Sequence, residues 1–230
     1  MSAKRTRKWL ALLGLIGVCG LAWALEKKHG PPADSPRDLK PTGADLGSLY
    51  PDVEVLTVAR WPAQAELAAS LGAKVVAPEP REALVEEIAA WSGGVLRQAW
   101  AGLPMAHPGG VDVVYDTIGA PETLEVGVRV LTARGSLVQS GVCTPARYEA
   151  TPLYFKEIHL VGSNAFGIEE VDGRRQHGIR HYLDLVTEGR VDIRPMLTHT
   201  FSLNRWRDAF TALADQGASG AIKVAFDFRS

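Results

Sequence analysis

Between residues 52 and 163, short apolar runs alternate with longer stretches whose apolar residues recur at helical spacing. Val53–Val58 (VEVLTV), Lys74–Ala77, Val111–Asp116, Ser136–Gln139 and Ile158–Val161 predict strands. Pro62–Leu71, Pro80–Trp91 and Pro121–Leu131 predict helices. Pro62 suits a first helical turn and Gly72 a C-terminal cap. Leu84, Val85, Ile88 and Trp91 lie on one face of the second helix. Strands separated by helices of this length imply right-handed crossovers and a parallel sheet. The run VDVVYDTIG, from Val111 to Gly119, is the clearest case: an apolar strand that ends in a glycine turn before a helix. Ligands bind such sheets outside the carboxyl ends of the strands, where Asp116 and Thr117 sit.

Beyond residue 164 the pattern predicts two helices, Gly178–Glu188 and Arg205–Leu213, and a closing strand, Ile222–Phe228. The first 51 residues read as a separate leader. A basic cluster (Lys4, Arg5, Arg7, Lys8) precedes seventeen uncharged residues, Trp9–Leu25, and a linker rich in Pro, Gly and Asp follows. The apolar stretch predicts a helix that stays out of the sheet, as a signal segment or a membrane contact through 9–25. Basic residues on both flanks orient it weakly. A competing reading makes Trp9–Gly14 a strand, followed by a phosphate loop ending at Gly17-Val18-Cys19-Gly20. The glycines run G-x-x-G-x-x-G, with Leu15 where the dinucleotide fingerprint needs glycine.

A net charge of -1 gives no electrostatic case for nucleic acid as a partner. Two cysteines, Cys19 and Cys143, supply neither a disulfide framework nor a zinc knuckle. His177 and His181 share a helix face, but Arg174, Arg175 and Arg180 beside them repel a cation, and a solvated face is the expected reading.

VARWPAQAELAASLGAKVV, VDVVYDTIG, GSLVQSGV, LTHTFSLNRWRDAFTAL and GAIKVAF, in this order, resemble the medium-chain dehydrogenase/reductase family, the zinc-type alcohol dehydrogenases, and within it the threonine- and glucose-dehydrogenase-like branches. The resemblance covers roughly 52–230 and concerns the nucleotide-binding half. It implies an α/β fold, a Rossmann-like doubly wound parallel sheet, here lacking or degrading its first strand. No counterpart of the family's zinc-bearing catalytic half is recognisable.

On that resemblance, Arg60 follows the strand whose end contacts the ribose. An acidic residue there would hydrogen-bond a free 2′-OH, whereas Ala59-Arg60 suits a 2′-phosphate, favouring NADP over NAD. Asp116, Thr117, Ile118 and Gly119 would line the adenosine side of the cofactor, with a plain strand-end turn capped by Asp116 as the alternative. Gly141, Val142 and Cys143 would face the nicotinamide, Cys143 as a passive small residue. Lys223 would reach the pyrophosphate. His199, in LTHTF, is expected to be structural. No catalytic residue, metal ligand or bound zinc is expected.

The expected function is an NAD(P)-binding domain of an alcohol-dehydrogenase-like oxidoreductase, truncated and inactive alone. The alternative is a non-catalytic interaction module with a vestigial dinucleotide site, tethered by its N-terminal segment. A homo-oligomer is an open expectation. The expected location is the cytoplasm or the cytoplasmic face of a membrane, with secretion as the remaining option.

Overall fold

The structure, a computed structural model, describes residues 7–12 (backbone only), 53–142, 147–164, 167–171 and 173–229. Six strands form one parallel sheet: β1 (Arg7–Leu12), β2 (Val53–Val58), β3 (Lys74–Val76), β6 (Val111–Asp116), β7 (Leu131–Gln139) and β8 (His159–Gly162). Their order is β3-β2-β1-β6-β7-β8. The chain therefore builds outward from β1 to one edge, then crosses back and builds to the other. The order reverses between β1 and β6, the position at which open α/β sheets bind ligands.

The expectation of an apolar helix over 9–25 that avoids the sheet is overturned at its start. Trp9 pairs with Val55 on one side and Val113 on the other, and Leu12 pairs with Val58 and Asp116. Residues 7–12 form a central strand, so the first strand is present. The physical reason for the misreading is that a central parallel strand is covered on both faces and shows no polar alternation. Periodicity cannot distinguish it from the start of an apolar helix. Residues 13–25 lie outside the described residues. Among the described residues no helix is long and apolar enough to cross a membrane.

Three helices connect these strands: α1 (Pro62–Ser70), α2 (Arg81–Ser92) and α3 (Pro121–Val130). Leu84, Val85 and Ile88 of α2 join Leu124, Val126 and Val128 of α3, together with Leu56, Val114 and Leu137 from the strands, in one apolar core. A two-residue hairpin, β4 (Leu96–Arg97) with β5 (Met105–Ala106), was not anticipated. Neither were the helix α4 (Thr151–Phe155) and the antiparallel pair β9 (Ile168–Val171) and β10 (Arg174–His177). The helices α5 (Gly178–Thr187) and α6 (Trp206–Ala214) lie where the sequence pattern put them. The closing strand β12 (Lys223–Asp227) pairs in parallel with β11 (Leu197–Ser202), in a sheet of its own. Between α6 and β12, the short helix α7 (Gln216–Ser219) packs against the ring of Trp61.

Two buried cations hold the C-terminal end of α3. Lys156, 1% exposed, donates from Nζ to the carbonyls of Arg129 (2.7 Å), Leu131 (2.8 Å) and Val128 (3.3 Å). Carbonyls at a helix end have no intrahelical partner, so an ammonium with three donors satisfies them. Arg129, fully buried, donates to the carbonyls of Leu103 and Ala101 and pairs with Glu149 at 2.9 Å. It ties α3 to the loop before β5 and to the segment leading into α4.

Burial, and then the charge of Arg129, push the Lys156 amine down to about 7. Its folded-state value lies below its unfolded one, so between pH 7 and 10.5 the unfolded chain holds more protons. Stability due to this group is therefore lowest below pH 7 and rises as the pH climbs above it. Urea melts of the native chain and of Lys156→Met at pH 7 and pH 9 should show the native chain gaining about 2 kcal/mol relative to the variant. A gap independent of pH would contradict this.

Candidate functional site

The carboxyl ends of β2, β3 and β6 surround a cleft of about 330 Å³, within the range of small-molecule sites. Val58, Pro78, Leu84, Ile118, Ala120 and Val126 give it apolar walls, and Arg60, Glu79, Arg81, Glu122 and Thr123 bring polar groups to it. Its two guanidiniums and two carboxylates balance in charge.

Asp116 sets the wall on the β6 side. Its carboxylate is fully buried and accepts hydrogen bonds from the backbone N–H of Ile118 (3.0 Å) and Gly119 (2.9 Å) and from the Thr123 hydroxyl (2.9 Å). Burial pushes its carboxyl above the usual carboxylate range, while the bonds from Gly119, Ile118 and Thr123 pull the other way. The main-chain carbonyl of Asp116 accepts from Ser140 N (2.9 Å) and Gly141 N (3.1 Å), which joins the end of β7 to the same turn. Gly119 has φ +75°, a conformation that favours glycine.

Gly141 is needed for a different reason. A Cβ there would lie 2.5 Å from Gly119 N and from the Ile118 carbonyl oxygen. The β6 and β7 turns thus touch backbone to backbone.

The residues singled out in the sequence divide into several groups. Arg60 and Ile118 line the cleft. The Arg60 guanidinium lies 4.8 Å from the centroid of the Trp61 ring, in a cation–π contact, and pairs with none of the described carboxylates. Asp116, Gly119 and Gly141 build the turn behind the wall, and Thr117 is buried beside them. Val142 is 87% exposed, and Cys143 lies outside the described residues. Lys223 opens β12, in the separate two-stranded sheet, and does not line the cleft.

His177 Nδ1 accepts from Ile179 N and caps α5, while His181 meets the Gln176 amide at 3.3 Å. His199 stacks on Phe201. Among the described residues no three His, Cys, Asp or Glu side chains stand together as a metal would require, so they do not fit a zinc site.

Sequence reasoning missed Arg81, Glu79, Glu122 and Thr123. A usable signal existed for Arg81. It lies beyond the end of β3, as Arg60 lies beyond that of β2, and the rule that ligands lie beyond the carboxyl ends of parallel strands applies to both.

Residues 52–184 match the model of a family described as zinc-binding dehydrogenase. The chain belongs to this family. A relative, L-idonate 5-dehydrogenase of Vitis vinifera, is 30% identical over 125 residues, covering 51% of this chain and 30% of its own length. Two solved structures show the same fold. One is a putative zinc-binding dehydrogenase from Sinorhizobium meliloti 1021 bound to NADP, with TM-score 0.59 and 23% identity, over 96% of this chain and 52% of its own. The other is an alcohol dehydrogenase from Escherichia coli CFT073 complexed with NADH, with TM-score 0.63 and 16% identity, over 96% of this chain and 52% of its own. This zinc-binding dehydrogenase family member thus spans about half the length of the structures it matches and less than a third of that relative.

Gly141→Ala should destabilise the protein by about 3 kcal/mol, because the new methyl meets main chain that has no room to yield. Its thermal melting midpoint, compared with that of Gly162→Ala, where a new methyl meets nothing within 4 Å, measures the effect. An unchanged midpoint would mean that the two turns are not in contact.

Proposed function

We propose that this chain holds the dinucleotide of a zinc-type alcohol dehydrogenase, and that its cleft takes the adenosine end of NADP(H) in preference to NAD(H). The observation that carries the reading is Arg60 at the mouth of an apolar cleft beside the switch point, with Ala59 where an acidic partner for a free 2′-OH would stand. A guanidinium matches the geometry of a phosphate and is always charged. Val58, Ile118 and Val126 offer the apolar surface an adenine needs.

Further support comes from β1. It ends at Leu12, beside β2 and β6, and the sequence that follows holds Gly14, Gly17 and Gly20. Glycines after the first strand let a chain bring backbone N–H groups to a pyrophosphate. In this reading Ile118 and Gly119 border the adenosine, and Gly141 keeps the neighbouring turn close enough to shape the site.

Zinc, where a dehydrogenase holds it, polarises the alcohol oxygen so that hydride passes to the nicotinamide. The described residues offer it no ligand set. In this reading the chain supplies the cofactor side of that reaction.

Fluorescence titration with NADPH and NADH tests the reading. NADPH should bind at least tenfold more tightly, and Arg60→Ala should remove most of that preference while leaving NADH binding nearly unchanged. Tighter binding of NADH, or a preference that survives Arg60→Ala, would refute the assignment. Binding of neither would refute the whole reading.

A further inference from the structure

Arg81 opens α2 and lines the same cleft as Arg60. Its Nη1 lies 3.4 Å from Glu125 Oε2, long for a charge-assisted hydrogen bond. The other oxygen of Glu125 lies 3.5 Å from Arg129 Nε. Glu125 thus has two cationic partners. Arg129 is fully buried and is also bonded to the Leu103 and Ala101 carbonyls and to Glu149. The Arg81 side chain is 35% exposed, and Glu125 is its only ion-pair partner among the described residues. If Arg81 let go, Glu125 would still face a full positive charge.

We propose that Arg81 is the second arm of a phosphate clamp, exchanging Glu125 for the 2′-phosphate that Arg60 meets from the β2 side. This rests on the reading that the cleft takes the adenosine end of NADP(H). A phosphate monoester near neutral pH carries close to two negative charges on three terminal oxygens. One guanidinium grips two of these oxygens side by side and leaves the third and much of the charge unanswered. Glu79 and Glu122 line the same cleft, so its overall field does not draw anions in. Only cations within bonding reach can hold a phosphate there, and the second such cation lining the cleft is Arg81.

The exchange gives two substitutions opposite effects on one ligand. Arg81→Gln removes the second arm, whereas Glu125→Gln removes the group that competes for it. A purely structural ion pair would make both changes weaken binding, whatever the ligand. The probes are adenosine 2′,5′-bisphosphate and 5′-AMP, which differ only in the 2′-phosphate, titrated calorimetrically into the full chain.

Arg81→Gln should weaken binding of the bisphosphate about tenfold and leave 5′-AMP within about twofold. Glu125→Gln should tighten the bisphosphate about threefold, with 5′-AMP unchanged, because it removes only a weakly held competitor. Equal losses for both probes in Arg81→Gln would make Arg81 a contact to the base and overturn the inference. So would a loss in Glu125→Gln matching that in Arg81→Gln, or no change in either. If the native chain binds the bisphosphate and Arg81→Gln leaves it unaltered, the clamp alone fails and the cofactor reading stands. If the native chain binds neither probe, both fail.

Discussion

Asp116 ends β6 with its carboxylate wholly buried, and the hydrogen bonds it accepts decide where the cleft wall stands. A buried carboxylate is tolerable only when nearly every lone pair is answered. Here the answering groups come from three places: the turn of Ile118 and Gly119, the first turn of α3 through Thr123, and, at the main-chain carbonyl, the end of β7. One side chain therefore fixes the exit of a central strand and the entry of a helix, and the main-chain carbonyl of the same residue fixes the approach of a neighbouring strand. Removing the side chain would leave the buried Gly119 N–H unpaired, at a cost of about 1–3 kcal/mol, at the edge of the candidate binding site.

Helix α3 is held at its other end by charge. Lys156 meets its terminal carbonyls, and Arg129 fastens it to the loop before β5 and to Glu149. Replacing a buried ion pair with apolar groups is often neutral, but removing one partner alone is not. The cluster formed by Arg81, Glu125, Arg129 and Glu149 is of this kind. It runs from the cleft to the start of α4, and both contacts of Glu125, 3.4 Å to Arg81 and 3.5 Å to Arg129, are longer than the 2.9 Å pair of Arg129 with Glu149. Arg129 is fixed by its other bonds and its burial, whereas Arg81, at the cleft end, is partly exposed.

Much of this was legible in the sequence, and the reasons it failed elsewhere are specific. Val111–Asp116 could be bounded to the residue, because a β-branched run stands between a proline-glycine cluster and a glycine turn. The helices α1, α2 and α3 lie within a residue or so of the expected bounds, since prolines mark all three starts and glycines the ends of α1 and α2. β7 begins at Leu131, not Ser136 as expected, because α3 runs straight into it with no turn residue to mark the boundary. β1 was obscured by a basic start and an unbroken apolar continuation. The pairing of β12 with β11 depends on contacts between segments far apart, which local patterning does not contain. At the site, Arg60 was visible because it directly follows a recognisable strand. Arg81 stands five residues beyond the end of β3, the observed form of the expected strand Lys74–Ala77, behind Pro78 and Pro80, and does not directly follow it as Arg60 follows β2.

The position of β1 has a consequence for how the molecule is made. It is synthesised before every other strand of the sheet, yet it sits between β2 and β6, and its partner Val113 arrives more than a hundred residues after Trp9. Contacts between segments so distant in sequence form late, because a long loop must close before they are rewarded. On the ribosome the innermost strand of the sheet waits, with one or both of its edges open, for most of the chain that will cover it. An unpaired apolar strand edge is a template for joining other chains. The segment most central in the finished molecule is therefore the one exposed longest to aggregation while the molecule is being made.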